Sequence, residues 1–141
     1  LLAVATAIRL WAKRNPNEYA LLYGSPVPGY EAPQYTVEPA ARVALALGSI
    51  VANAGRTSTP SRTRARRVSL RTNGVLEMAN LEEAMPGVPE AVRALALMVW
   101  SQIFGCISFE LFGHYKGSVR NAHRFFTIVV DEVANLVLPP G

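Results

Sequence analysis

Glu110 and His114 stand four positions apart, one turn of a helix, and His123 follows close behind. A carboxylate with imidazoles nearby is ordinary zinc-ligand chemistry, so this set is the first to weigh. No HExxH, no paired cysteines and no cluster of carboxylates accompanies it. A helix-end ion pair accounts for Glu110 and His114, since an imidazolium also favours the negative C-terminal end of its helix. Neither metal nor cofactor is expected. Ser108, His114 and Asp131 contain the letters of a hydrolase triad without its setting, because no Gly-x-Ser-x-Gly elbow is present. Gly74 and Gly87 are isolated, so no phosphate-binding loop is expected. Cys106 is the single cysteine and lies in an apolar run, where a small buried core residue is the expected role. The chemistry expected of this chain is therefore binding and not catalysis. The alternatives are a small all-α enzyme, which turnover of a ligand would reveal, and a ligand-binding protein unrelated to transcription.

Two other groupings could bind something. Arg56, Arg62, Arg64, Arg66, Arg67 and Arg71 form a basic cluster of the kind that neutralises phosphates. No aromatic residues interleave to stack on bases, so a solvated linker is the expected role. Arg66-Arg67-Val68-Ser69 fits a basic kinase site only as short patterns do by chance. Trp11, Tyr19, Tyr23, Trp100 and Phe104 could line a ligand cavity between the first helices and a long later one, or could simply be core. With Gln102 and Asn53 as a polar edge, such a set suits an apolar, partly hydrogen-bonding ligand.

These residues have to be carried by helices. Leu1, Val4, Ala5, Ile8, Trp11 and Ala12 recur at spacings of three and four, with Arg9, Lys13 and Arg14 elsewhere on the turn. Asn15-Pro16 closes this helix and opens a shorter one, Asn15 as N-cap and Pro16 at its first position, with Tyr19, Leu22 and Tyr23 on the buried side. The prolines and glycines of 24–34 predict an ordered loop. A helix follows from a cap at Thr36 to Gly55, with Val43, Leu47 and Val51 on its stripe. Residues 56–67 read as a mobile linker, and Gly74 to Met85 as a modest helix. Pro89 opens a long helix to Phe112, apolar nearly all the way round, and a last helix starts at Ser118, with Val119, Ala122, Phe126, Val129, Val133 and Leu136 as a coiled-coil-like seam. Pro139-Pro140 ends it. No alternating strand pattern of useful length appears, so the class is all-α.

The 141 residues suffice for one domain with a real core, and half of them are apolar while 17% are charged, a balance that suits a globular chain. Helical periodicity starts at Leu1 itself, so the chain reads as a fragment with something missing upstream. The opening lacks a signal-peptide layout, because its basic residues follow the apolar ones. The longest uncharged stretch, Ala94 to Phe109, falls short of the ~20 residues that span a bilayer, which predicts a buried helix and no membrane. With a single cysteine, a reducing compartment, the cytoplasm, is expected. A helix apolar on all sides, followed by one with a seam, exposes more apolar surface than one small domain covers, so a partner is expected. Its surface would include Leu97, Ser101, Gly105 and Ser108 from the long helix and Phe125, Phe126, Val129 and Val133 from the last.

Trp11-Ala12, Pro16, Tyr19, Leu22-Tyr23-Gly24, Pro26-Val27-Pro28-Gly29-Tyr30 and Ala32-Pro33 together resemble the C-terminal domain of TetR-like regulators of the WHG type from high-GC Gram-positive bacteria. Trp100, Gly105, Glu110-Leu111-Phe112-Gly113-His114 and the closing helix are similar to the paired terminal helices of that subgroup. Tyr23 departs mildly, standing where relatives usually carry phenylalanine, and the basic linker has no counterpart. The resemblance implies a helical bundle over 1–141 that binds a small-molecule effector and forms a homodimer, its last two helices meeting the partner's in a four-helix interface. It implies a repressor whose DNA contacts lie in an N-terminal helix-turn-helix domain absent from this chain.

Overall fold

A computed structural model describes residues 1–24, 29, 42, 43, 45–51, 53, 75, 76, 82 and 85–137 of the chain. All regular secondary structure among them is helical. Four helices are α1 (Leu2–Arg14), α2 (Pro16–Tyr23), α3 (Glu90–Leu111) and α4 (Ala122–Val137). Residues 42, 43, 45–51 and 53 are also helical, within the span expected to start at Thr36, and Leu47 and Val51 of that stripe are buried. The linker 56–67, most of the loop 24–34 and Pro139-Pro140 lie outside the described residues.

Helix α3 is the spine. It runs for 22 residues, about 33 Å at 1.5 Å per residue, and α1 and α4 pack on it. Its buried residues, among them Val92, Leu95, Val99, Ile103 and Ile107, form one core with Ala5, Ala12, Tyr19, Phe126, Val130 and Val133. By length and composition alone α3 could cross a bilayer. Its inner faces are instead occupied by this chain's own helices. Pro89 sits at the N-cap, where its fixed backbone leads into the helix without removing a needed donor.

Three local expectations are corrected. Asn15 does not cap α2 through its side chain; its backbone N–H and its Nδ2 both donate to the Trp11 carbonyl at 2.9 Å, closing α1. The last helix begins at Ala122 rather than Ser118, because residues 112–118 are a turn in which Gly113 and Gly117 have φ of 79° and 82°, a region that disfavours side chains. Asn121 then makes the cap, its Oδ1 accepting from the Arg124 N–H at 2.9 Å. Between 74 and 85, Val75 lies in a turn and Leu76 in a bend while Glu82 is helical, so the expected helix does not take in Val75 and Leu76.

Arg9, expected on the solvated side of α1, is only 4% exposed. Its Nε and Nη2 each donate to Glu110 at 2.6 Å, a bidentate pair, and Lys13 Nζ adds a third bond to the same carboxylate at 2.9 Å. Arg9 Nη1 lies 3.4 Å from His123 Nδ1, and its guanidinium carbon is 5.4 Å from the Phe126 ring centre. One side chain therefore ties α1 to the last turn of α3 and to the start of α4. Glu110 consequently does not pair with His114, which is exposed with its ring 5.1 Å from that of Phe109. Elsewhere in the core Cys106 is buried, and the Tyr115 hydroxyl donates to its Sγ at 3.2 Å. Burial pushes this thiol above its ordinary range, more than the hydrogen bond pulls it down.

Burial alone would raise the Glu110 carboxyl, but the bonds from Arg9 and Lys13 outweigh it and hold the group below its ordinary 4.5. A depressed folded value means that the stabilisation is complete above the unfolded value and is lost as pH falls through the folded one. Glu110→Gln leaves Arg9 buried without its counter-charge and should cost about 3 kcal/mol, lowering Tm by on the order of 10 °C. Melting curves from neutral pH down through the carboxylate range should show a steep acid loss in the wild type and a flatter one in Glu110→Gln. Lys13→Ala, at a half-exposed position, should change stability by less than about 0.5 kcal/mol.

Candidate functional site

Helical spacing puts two pairs of rings face to face. Tyr19 and Tyr23 are four apart on α2, and Trp100 and Phe104 four apart on α3, so each pair shares one side of its helix. Ring centres are 5.1 Å apart for Tyr19 and Tyr23, 4.5 Å for Tyr23 and Phe104, and 5.9 Å for Trp100 and Phe104. Tyr19 lies nearly parallel to Phe104 at 6.4 Å, and Trp11 joins at the edge, 6.5 Å from Tyr19. All five aromatic residues singled out in the sequence thus belong to one contiguous cluster. Phe112, which the sequence reading missed, extends it, 6.4 Å from Tyr19. Its place two turns beyond Phe104 was the available signal.

The cluster is anchored by hydrogen bonds. Fully buried Tyr19 donates its hydroxyl to the Phe104 carbonyl at 3.2 Å and shares a 2.8 Å bond with Ser108. Burial pushes the Tyr19 and Tyr23 hydroxyls above the usual phenol range, so both stay protonated at neutral pH. Gln102 and Asn53, expected as the polar edge, are both exposed. Gln102 stands on the side of α3 away from Trp100, because two residues of helix turn a side chain through about 200°; Ser108 and Tyr19 supply the polarity. Two buried nitrogens, Trp100 Nε1 and Arg93 Nε, find no acceptor among the described residues. Arg93 reaches Glu82 through Nη1, and Glu82 also accepts from the Gly87 N–H at 3.1 Å.

The Ser108 hydroxyl is engaged by Tyr19, His114 and Asp131 are exposed, and among the described residues no three of His, Cys, Asp or Glu converge on a metal position.

A second face is apolar and uncovered. Met98, Phe109, Phe125 and Ile128 are exposed, the last half so at 50%. Tyr115 stands between Phe109 and Phe125, with ring centres 5.9 and 5.4 Å away, so the α3 and α4 stripes lie on one side of the molecule. Of the residues expected at a partner surface, Ser101 and Phe125 are exposed and Leu97, Gly105 and Val129 half-buried. Phe126 and Val133 belong to the chain's own core, and Ser108 to the aromatic cluster. The seam 126–129–133 faces inward through Phe126 and Val133, and the adjoining positions 125 and 128 face out, a difference of phase on α4. Met98, Gln102, Gly105 and Phe109, at spacings of four, three and four, mark the outer stripe of α3.

The family described as tetracyclin repressor-like, C-terminal domain, matches residues 1–133. HTH-type transcriptional regulators of Mycobacterium bovis and Mycobacterium tuberculosis are 37% identical to this chain over 116 residues, covering 82% of it and 49% of each relative. The chain thus spans about half the length of the curated relatives it matches. The match covers nearly all of this all-helical chain, and the chain belongs to the tetracyclin repressor-like C-terminal domain family.

Proposed function

We propose that this chain is the effector-sensing and dimerisation domain of a TetR-like transcriptional regulator, acting as a repressor in the cytoplasm. The observation that carries the sensing role is the aromatic cluster: five rings from α1, α2 and α3 in one contiguous group, with a hydroxyl and an indole N–H among them. Ligand sites are mostly apolar with a few placed polar groups, and this set has that composition. DNA recognition, on this reading, is done by a helix-turn-helix part outside the 141 residues. A ligand between α2 and α3 bears on the same helix that Arg9 clamps to α1. Occupancy then favours one placement of α1 over another, and operator affinity responds through linkage.

The self-association surface is the stripe of Met98, Gly105 and Phe109 with Phe125 and Ile128, which in a two-fold dimer meets its own copy as a four-helix contact. Gly105 has nothing within 4 Å of the place a Cβ would occupy, so a neighbouring helix can approach closely there.

Two outcomes are expected. A panel of apolar aromatic compounds should contain members that raise Tm, since a ligand at a hundred times its Kd stabilises the native state by about 2.7 kcal/mol. Tyr23→Ala should abolish that rise, and a panel without any shift, or a shift indifferent to Tyr23→Ala, removes the sensing role. In sedimentation the wild type should run as a dimer at micromolar concentration and Ile128→Asp as a folded monomer, while Val133→Asp, which buries an unpaired charge in the core, should unfold. A monomeric wild type would sink the dimer.

A further inference from the structure

We infer that the aromatic cluster takes an uncharged apolar ligand that presents an acceptor oxygen, a carbonyl or ether, to Trp100 Nε1, and that it discriminates against cations. This rests on the cluster being a ligand site and specifies what that site asks of its ligand.

An indole N–H can only donate, and a buried donor left unpaired is a standing cost that an incoming acceptor relieves. Trp100 Nε1 is such a donor, buried in a ring cluster with no acceptor among the described residues. A second unpaired donor, Arg93 Nε, stands seven residues earlier on the same face of α3, about 10 Å away along the helix axis. Within the cluster, Tyr19 and Ser108 bond each other, and the Phe104 carbonyl accepts from Tyr19. Among the described residues, both buried side-chain atoms without a partner are donors. The unmet demand of the buried part of the site is thus for an acceptor.

Charge narrows the class further. Aromatic faces attract cations, which makes a cationic ligand the obvious rival. A buried cation also needs a carboxylate, and Glu110 and Glu82 are spent, the first on Arg9 and Lys13 and the second on Arg93. A cation brings no acceptor and would share a helix face with the Arg93 guanidinium. An anion fares little better, because the Arg93 charge is already balanced by Glu82. What remains is a neutral molecule with ring-sized apolar surface and an exposed oxygen.

Benzophenone, diphenylmethane and benzyltrimethylammonium separate these chemistries, the first two differing by a carbonyl and the third carrying a permanent charge. The chain has two tryptophans, so two indole N–H signals report in a nitrogen-correlated spectrum, and Trp100→Phe identifies which of them belongs to Trp100. Benzophenone should bind about tenfold tighter than diphenylmethane, moving the Trp100 signal downfield and slowing its exchange. Benzyltrimethylammonium should bind more weakly than either. Trp100→Phe, which keeps a ring against Phe104, should bring the two diphenyl compounds to within about threefold of each other by weakening benzophenone alone. Equal binding of the two by the wild type, a preference that survives Trp100→Phe, or tightest binding of the ammonium overturns the inference while leaving the ligand site standing. If none of the three binds, the ligand site falls with it.

Discussion

A guanidinium removed from water must find its counter-charge where it lands, and in this chain that requirement is met at one point shared by three helices. Arg9 reaches from α1 to Glu110 on α3 and to His123 at the start of α4, with the Phe126 ring beneath it. The pair offers less net stability than an apolar contact of the same size would. What it supplies is register: a bidentate bond accepts only one rotation and one height of α1 against α3, whereas the alanines that flank it, Ala5 and Ala12, would tolerate sliding. The fit of the aromatic rings depends on that register, because α2 follows α1 after a single residue and carries Tyr19 with it.

Helix α3 serves three customers with three sides. One side packs into the core through Val99, Ile103 and Ile107, a second carries Trp100 and Phe104, and a third leaves Met98 and Phe109 in solvent. That division accounts for a helix that is apolar nearly all round. It also places ring cluster and exposed stripe on one rigid element, so a force on either is felt by the other without any intervening flexible part.

The elements were legible because their punctuation is strong. Asn15-Pro16 and Pro89 mark α2 and α3 in the sequence, and the i, i+4 pairs 19–23 and 100–104 place the rings on matching sides. What was hidden is information that no local pattern holds. Glu110 lies 101 residues from Arg9, so nothing around Arg9 announces that this arginine, alone among the cations of α1, goes inside. Likewise Phe125 and Phe126 are adjacent and chemically identical, and which of them faces the core is fixed by the rotation at which α4 leaves the Gly113–Gly117 turn. Gln102 misled for the opposite reason, being near Trp100 in sequence and far around the helix.

The enclosed thiol of Cys106 has a bearing on how this protein ages. A sulfur that holds its proton, shielded by Tyr115 and by the walls of α3, offers oxidants and alkylating agents almost no thiolate to attack. Any opening between α3 and α4 that uncovers the sulfur would therefore be written into the extent of its modification, which makes the single cysteine a chemical counter for such excursions.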